Sequence, residues 1–161
     1  MKTNAKLLCF IMSISMILTL CACDADGGAK YEIGICQLVE HSAHDEATKG
    51  FMDALNAELG KENISYNVQS AQNDISNCTA IVNQFVSNDV DLIVANATAV
   101  LQAAVSATDT IPILGTSITE YGVALEIEDF SGTVGGNVSG TSDLAPLASQ
   151  AAIIKEWVPE A

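Results

Sequence analysis

Residues 31–55 constrain the fold of this chain more than any other stretch of the sequence. They begin with an apolar run around Ile33 and Ile35, pass through a polar loop at 37–45, and continue with apolar residues spaced by three and four. The run predicts a strand covered on both faces, as in a parallel sheet, and the spacing predicts an amphipathic helix. The apolar positions of that helix are Ala47, Phe51, Ala54, Leu55 and Leu59.

The same alternation of strand and helix continues along the chain. Further strands are predicted at 64–69, 91–95, 111–114 and 137–140. The polar alternation in 64–69 indicates an edge strand, and the short apolar run 91–95 indicates a central one. The pattern predicts an α/β fold with a doubly wound parallel sheet.

Helices are predicted between these strands and after the last one. Asn73 or Asp74 can cap a helix with the apolar stripe that begins at Ile75, and another helix follows Thr98. Residues 118–127 are ambiguous between helix and strand. Residues 143–157 are predicted to be helical, with Asp143 as the cap and Pro146 in the first turn.

The charge balance excludes several classes of partner. The 161 residues include 20 Asp and Glu against 6 Lys and Arg, which gives a formal net charge of −14. Nucleic acids and anionic membrane surfaces need clustered basic residues, so neither is expected as a partner. With 49% hydrophobic residues, the chain can build a substantial core.

The first 23 residues have the features of an export signal. Lys2 and Lys6 precede the apolar segment 7–20, which is too short to span a bilayer. The sequence Leu20-Cys-Ala-Cys23 resembles a bacterial lipobox. This resemblance implies cleavage before Cys23, lipidation of Cys23, and an extracytoplasmic protein anchored to the cell membrane by lipid. Residues 24–30 would form a flexible tether.

The remaining cysteines and histidines do not form a recognisable chemical motif. Cys36 and Cys78 are expected to be core residues, because each occupies an apolar position of a predicted element. His41 and His44 lack a distant third ligand, so no metal or cofactor is predicted. The sequence also contains no nucleophile elbow, P-loop or dinucleotide fingerprint, and we predict that the protein is not an enzyme.

Small polar side chains follow the predicted strands at the ends where ligands bind in open α/β sheets. Helix N-termini at such ends suit anionic groups, because their N–H groups and dipole favour negative charge. Gln37 and His41 come from the first unit. The residues after the later strands are Thr98, Thr116, Ser117, Ser139, Thr141, Ser142 and Asp143.

Several segments together resemble the ABC-transporter substrate-binding lipoprotein family that includes tryptophan- and tyrosine-binding members. They are the run Gly34 to His41 with Asp45, Gly50, Phe51, Ala54 and Leu55, and the segments 95–99, 115–119 and 135–144. The resemblance covers essentially all of 31–158. This chain departs from the family pattern at His44, where leucine is usual, and at Ala99, where proline is frequent.

The resemblance implies the type I periplasmic-binding-protein fold, in which two α/β lobes close on a small ligand. Residues 31–140 would form the N-terminal lobe, and 141–161 the hinge crossing and first helix of a second lobe. Family members are about twice as long, so we expect this chain to be truncated before most of that lobe.

The resemblance also implies a function and site residues. The protein would bind a small molecule, an amino acid or a relative, and deliver it to ABC permease and ATPase subunits. Thr98, Thr116 and Ser117 would hold the ligand carboxylate, while Gln37, His41 and Asp143 would line the cleft. The alternatives are a sensory ectodomain of the same fold, a receptor for sugars or nucleosides, and a flavodoxin-like enzyme domain.

Overall fold

The computed structural model describes residues 28–160, in which five strands form one parallel sheet. The strand order is β2-β1-β3-β4-β5, and all four neighbouring pairs are parallel. The strands are β1 Tyr31–Gln37, β2 Ile64–Ser70, β3 Leu92–Asn96, β4 Ile113–Ile118 and β5 Val138–Ser142. The predicted α/β class is confirmed, with β2 at an edge and β3 at the centre. The predicted signal peptide, Cys23 and most of the tether lie outside the described residues.

Helices connect these strands and cover the sheet on both sides. They are α1 Ser42–Leu59, α2 Ile75–Ser87, α3 Thr98–Ala107, α4 Tyr121–Ala124 and α5 Leu147–Trp157. A short 3-10 turn at Lys61–Asn63 joins α1 to β2. Asp74 caps α2 by accepting the backbone N–H of Ser76 at 2.7 Å, so the second of the two predicted cap residues is the one used.

The alternation of side chains along β1 and β3 divides the core into two layers. On one face, Ile33, Ile35 and Val94 pack with Phe51 and Leu55 of α1. The opposite face carries α2, α3 and α4, and its buried residues include Cys36, Cys78, Val82, Phe85, Ile93, Leu101, Ile113 and Tyr121. Helices on both faces are the doubly wound arrangement that the sequence predicts.

The close approach of α2 to β1 depends on Gly34. A Cβ atom at this position would lie 2.6 Å from the ring of Phe85, well inside van der Waals contact. Phe85 is the largest of the fully buried side chains in residues 28–160. Gly34 therefore provides the space that lets an aromatic ring pack directly on the central sheet.

The predicted inward stripe of α1 is partly wrong. Ala54 and Leu59 are exposed, and Thr48 is the one fully buried side chain of the helix. The helix also begins at Ser42, so the predicted loop ends earlier than residue 45. Its first turn can start there because the His41 side chain caps it, a role that an apolar pattern does not reveal.

The predicted ends of β4 and β5 are also wrong. β4 extends from Ile113 to Ile118, and β5 extends to Ser142, so most of the hydroxyl residues predicted to follow these strands lie inside them. The β4–β5 register shifts between Gly115 and Ile118, and pairing resumes between Ile118 and Ser142. Because of this bulge, β4 continues beyond Leu114, where the end of the short apolar run predicted that the strand would stop. The ambiguous segment 118–127 contains the end of β4 and the short helix α4.

Asp143 does not cap the last helix. Its backbone N–H donates to the carbonyl of Ile118 at 3.0 Å, so it continues the edge of the sheet. α5 begins at Leu147 after Pro146, because a residue before proline is disfavoured in the helical region. In α5 no side chain is buried, and Trp157 is 81% exposed.

Cys36 and Cys78 are core residues, as predicted. Both are fully buried in the layer between the sheet and α2. Burial raises the pKa of the Cys36 thiol to about 12, and the neighbouring Cys78 adds to the shift. Burial also raises the pKa of Cys78. Because the thiolate is the reactive form, both side chains behave as small hydrophobes at neutral pH.

Candidate ligand site at the carboxyl edge of the sheet

The carboxyl ends of the central strands place polar residues in one row. Gln37 of β1 pairs with Asn96 of β3, which pairs with Thr116 of β4. Residues paired in a parallel sheet point to the same face, here the face covered by α1. Three polar side chains from distant parts of the sequence are thereby aligned at the edge where α/β proteins bind ligands.

Thr98, Thr116 and Ser117 form the compact part of the predicted site. Thr98 is the first residue of α3, and the other two lie in the bulge of β4, the neighbouring strand. All three are half-buried, and Ser117 has a positive φ of 55°. The structure thus places the three residues that the resemblance assigns to a carboxylate on adjacent backbone segments.

The backbone between β3 and α3 is strained. Ala97 has φ 108° and ψ 156°, a region that only glycine occupies readily. Its N–H donates to the carbonyl of Thr116 at 3.1 Å, which ties the start of α3 to the end of β4. Among residues 28–160, no side chain accepts a capping hydrogen bond from α3, so the first N–H groups of the helix and the positive end of its dipole face the site.

His41 lies at the N-terminus of α1. Its Nδ1 accepts the backbone N–H of Ala43 at 3.3 Å, and its ring contacts the ring of His44 edge-on at 6.1 Å between centroids. The ring nitrogen that serves as acceptor carries no proton, so in the neutral ring the proton is on Nε2. The exposed His41 ring can therefore offer an Nε2–H donor at the rim of the site.

Gln37, which is predicted to line the cleft, is buried at the end of β1. Its exposed fraction is 6%, and its side-chain amide donates to a carboxylate oxygen of Asp45 at 2.9 Å. Gln37, Asp45 and Thr48 line part of a groove of about 360 Å³ between α1 and the β2 side of the sheet. Gln37 thus holds the first turn of α1 against β1.

Asp143 lies at the opposite end of the site, directly after β5. It is exposed, and its negative charge is the second cause, after burial, of a raised pKa at the Tyr121 hydroxyl. The Tyr121 hydroxyl donates to the carbonyl of Thr141 at 3.3 Å. A carboxylate at this position can attract the cationic group of a ligand held farther along the edge.

The six predicted ligand residues do not form one tight cluster. Parallel strands are spaced by about 4.8 Å, so Gln37 on β1 and Asp143 after β5 are separated by three spacings, roughly 14 Å. Thr98, Thr116 and Ser117 lie between them. A small ligand seated on the three hydroxyls would therefore have His41 on one side and Asp143 on the other.

The sequence interpretation missed two residues that shape this edge. Asn96 is fully buried, and its Nδ2 donates to the carbonyl of His44 at 2.9 Å and to Oγ1 of Thr48 at 3.0 Å. Thr48 is 5% exposed. Both left a signal: Asn96 ends an otherwise apolar strand, and Thr48 has helical spacing to Phe51 and Leu55 on the inward face.

Residues 28–160 contain no group of three histidine, cysteine or acidic side chains placed to hold a metal ion. Within the same residues, no helix has the length and apolar character needed to cross a membrane.

Open parallel α/β sheets bind ligands in the crevice outside the carboxyl ends of their strands, which is where this chain carries its row of polar residues. The family model described as ABC transporter substrate binding protein matches residues 32–161. The chain belongs to this family.

Three similar proteins illustrate how closely this chain resembles other proteins in sequence and in structure. A tyrosine-binding protein of Clostridioides difficile (strain R20291) is 41% identical over 141 residues, which is 84% of this chain and 40% of that protein. A ligand-free, open structure of a substrate-binding protein with adhesive properties from Clostridium difficile has a TM-score of 0.73 at 41% identity, covering 81% of this chain and 45% of that one. A Streptococcus pneumonia structure in complex with L-Trp has a TM-score of 0.72 at 33% identity, covering 79% and 43%.

This chain spans less than half the length of the relatives that it matches. The solved relatives nevertheless cover most of this chain, which confirms the similarity to periplasmic binding proteins.

Proposed function

We propose that this chain is part of the extracytoplasmic receptor of an ABC importer and that it binds an amino acid, including aromatic ones. The family membership supports the receptor class. The ligand class is supported by one relative named as a tyrosine-binding protein and another solved with L-Trp. The protein acts by binding and release, and it is not an enzyme.

The observation that carries the proposal is the α3 N-terminus beside the β4 bulge. A ligand carboxylate would accept hydrogen bonds from the first N–H groups of α3 and from the hydroxyls of Thr98, Thr116 and Ser117. The helix dipole favours the negative charge there, and the absence of a side-chain cap on α3 leaves room for it. The strained backbone at Ala97 is consistent with a binding edge, where such strain is concentrated.

The rest of the ligand would contact the flanks of this edge. The carboxylate of Asp143 suits the α-ammonium group, because the two charges are opposite and Asp143 is on the β5 side of the hydroxyls. His41 would contact the ligand from the α1 side through Nε2. Gln37, being buried against Asp45, would act by holding α1 in place.

The domain organisation follows from the same proposal. Residues 31–140 would be the N-terminal lobe, although β5 of the sheet continues to Ser142. Residues 141–161 would cross a hinge and begin a second lobe, whose surface would cover the exposed apolar side chains of α5. Closure of two lobes would then enclose the ligand.

The proposal also includes a lipid anchor and transport partners. Cys23 would be lipidated after cleavage of residues 1–22, and residues 24–30 would tether the lobe to the outer surface of the cell membrane. Permease and ATPase subunits of an ABC importer would be the protein partners. Neither nucleic acid nor a metal cofactor is required.

The test is thermal unfolding of the full-length protein with a panel of small molecules. A ligand that binds only the folded state at 100 times its Kd adds about 2.7 kcal/mol to the free energy of unfolding. We expect L-tyrosine or L-tryptophan to raise Tm, and the matching methyl ester, which lacks the carboxylate charge, to have little effect. A rise with a sugar or nucleoside, and none with any amino acid, would contradict the proposed ligand class.

A further inference from the structure

The buried polar side chains of residues 28–160 are concentrated in one place. They are Gln37, Thr48 and Asn96, each less than one-tenth exposed. Gln37 and Asn96 are paired in register at the carboxyl ends of β1 and β3, and Asn96 contacts Thr48 of α1 directly. Polar groups are costly to bury, so a cluster next to the ligand edge calls for an explanation beyond packing.

Asn96 is the centre of this cluster because it links its own strand to two other segments. Its Nδ2 donates both hydrogens to α1, one to the His44 carbonyl at 2.9 Å and one to Thr48 Oγ1 at 3.0 Å. Its backbone carbonyl accepts the N–H of Leu38, in the loop between β1 and α1, at 3.2 Å. One residue thereby joins the end of β3, the loop after β1 and the first two turns of α1.

The next residue along the chain is the strained Ala97, and α3 begins immediately after it. Any shift of Asn96 would therefore move the first turn of α3 relative to the first turn of α1. These two helix starts carry Thr98 and the cap residue His41, which the proposed function places around the ligand.

From these contacts, and resting on the proposed function, we propose that Asn96 is a positioning residue for ligand binding. It sets the distance between the N-termini of α1 and α3 without touching the ligand. The His44 carbonyl can only accept, and the asparagine amide supplies that donor together with a second N–H for Thr48 Oγ1.

One further detail argues against a role in stability alone. Oδ1 of Asn96 is buried and has no hydrogen-bond partner among residues 28–160, and the same is true of Nδ1 of the adjacent His44. An unpaired buried oxygen opposes folding, and an apolar side chain would avoid it. The amide therefore provides its two donors at a cost to stability.

The test compares Asn96→Asp with wild type in the full-length protein, with L-tyrosine and L-tryptophan as probes in calorimetry. Aspartate has the same shape, but the ionised carboxylate cannot donate to the His44 carbonyl. We expect affinity to fall at least tenfold at pH 8 and to recover partly at pH 5, where a protonated carboxyl supplies one donor. His41, His44 and Asp45 are ionisable side chains close to Asn96, so the variant is compared with wild type at each pH.

Val82→Ala is the matched control. Val82 is fully buried on α2, on the opposite face of the sheet from α1, so this variant loses stability without removing any hydrogen bond of Asn96. We expect its affinity to stay within twofold of wild type. If Asn96→Asp also stays within twofold while losing as much Tm as Val82→Ala, Asn96 is a packing residue and the inference is wrong.

Hydrogen exchange distinguishes this result from a failure of the proposed function. In Asn96→Asp, amides of 38–48 and 97–99 should exchange faster, while Val82→Ala should leave them close to wild type. If wild type binds no amino acid, the proposed ligand is wrong, and faster local exchange still supports the role of Asn96 in holding the two helix starts. Unchanged exchange in these segments would overturn it.

Discussion

The backbone N–H of Ala97 donates to the carbonyl of Thr116 at 3.1 Å while Ala97 itself has φ 108° and ψ 156°. This hydrogen bond joins the start of α3 to the bulge of β4 and holds Thr98 and Thr116 side by side. The geometry of the candidate site therefore depends on a backbone conformation that is unfavourable for alanine.

Ala97→Gly should stabilise the protein. Strain in this region costs about 1–3 kcal/mol, and glycine removes it at an entropic cost of about 0.5–1 kcal/mol. We expect a net gain of about 1 kcal/mol in the free energy of unfolding, measured with urea. A variant less stable than wild type would show that Ala97 is not strained, and Ala97→Val should be destabilising because a β-branched side chain fits this region poorly.

Thr116→Val should weaken ligand binding with little change in shape. A hydroxyl that donates to a carboxylate contributes about 1.5–3 kcal/mol, so affinity for the amino acid should fall by roughly 10- to 100-fold. Calorimetry on the full-length protein measures this change. Thr79→Val, on the exposed side of α2, is the control and should bind like wild type. If the two variants bind the amino acid with equal affinity, Thr116 does not contact the ligand.

Gly34→Ala should destabilise the protein by about 1–3 kcal/mol through overpacking. The added Cβ would meet the Phe85 ring at 2.6 Å, and neither β1 nor α2 can move freely. The effect should shrink in a Phe85→Leu background, which a double-mutant cycle measures. If the two changes are additive, the Cβ does not contact the ring.

Gly50→Ala provides a contrasting result at another glycine. Gly50 lies inside α1, and an added Cβ there would meet nothing within 4 Å. Alanine favours a helix interior over glycine by about 1 kcal/mol, so this variant should be more stable than wild type in urea unfolding. A loss of stability would indicate an unseen contact on this face of α1.

Cys36 should give the protein a pH-dependent stability in alkaline solution. Its pKa rises from 9.0 to about 12 on folding, so the unfolded chain loses the thiol proton first. The associated stability is present below pH 9 and is lost as pH rises from 9 toward 12, by about 1.4 kcal/mol per pH unit. Urea unfolding of wild type and Cys36→Ala at several pH values should show their difference shrinking. A constant difference would contradict the raised pKa.

Much of the fold could be predicted because hydrophobic patterning is local. The central position of β3 followed from its apolar run, and the edge position of β2 followed from the alternation around Tyr66. The cap of α2 was predicted to be Asn73 or Asp74, of which the structure uses Asp74, and Thr98 was predicted at the N-terminus of a helix, where α3 begins. Each of these features depends on residues close together in the sequence.

The ends of β4 and β5 could not be predicted in this way. Hydroxyl residues such as Thr116 and Ser142 are polar, and they lie in strands only because the neighbouring strand offers backbone partners across a bulge. The start of α5 was misplaced for a similar reason, since the Asp143 N–H is used by the Ile118 carbonyl. Long-range hydrogen bonds thus overrode local signals.

The sequence by itself determined the α/β class and the polar character of one sheet edge, because these depend on hydrophobic periodicity and on the residues next to each strand. The family followed from the resemblance of several short motifs. The tertiary structure alone decided which polar residues are exposed and which are buried. It placed Gln37 and Asn96 under α1 and left Thr98 and Thr116 at the edge, because strand register and the packing of α1 determine which side chains water can reach.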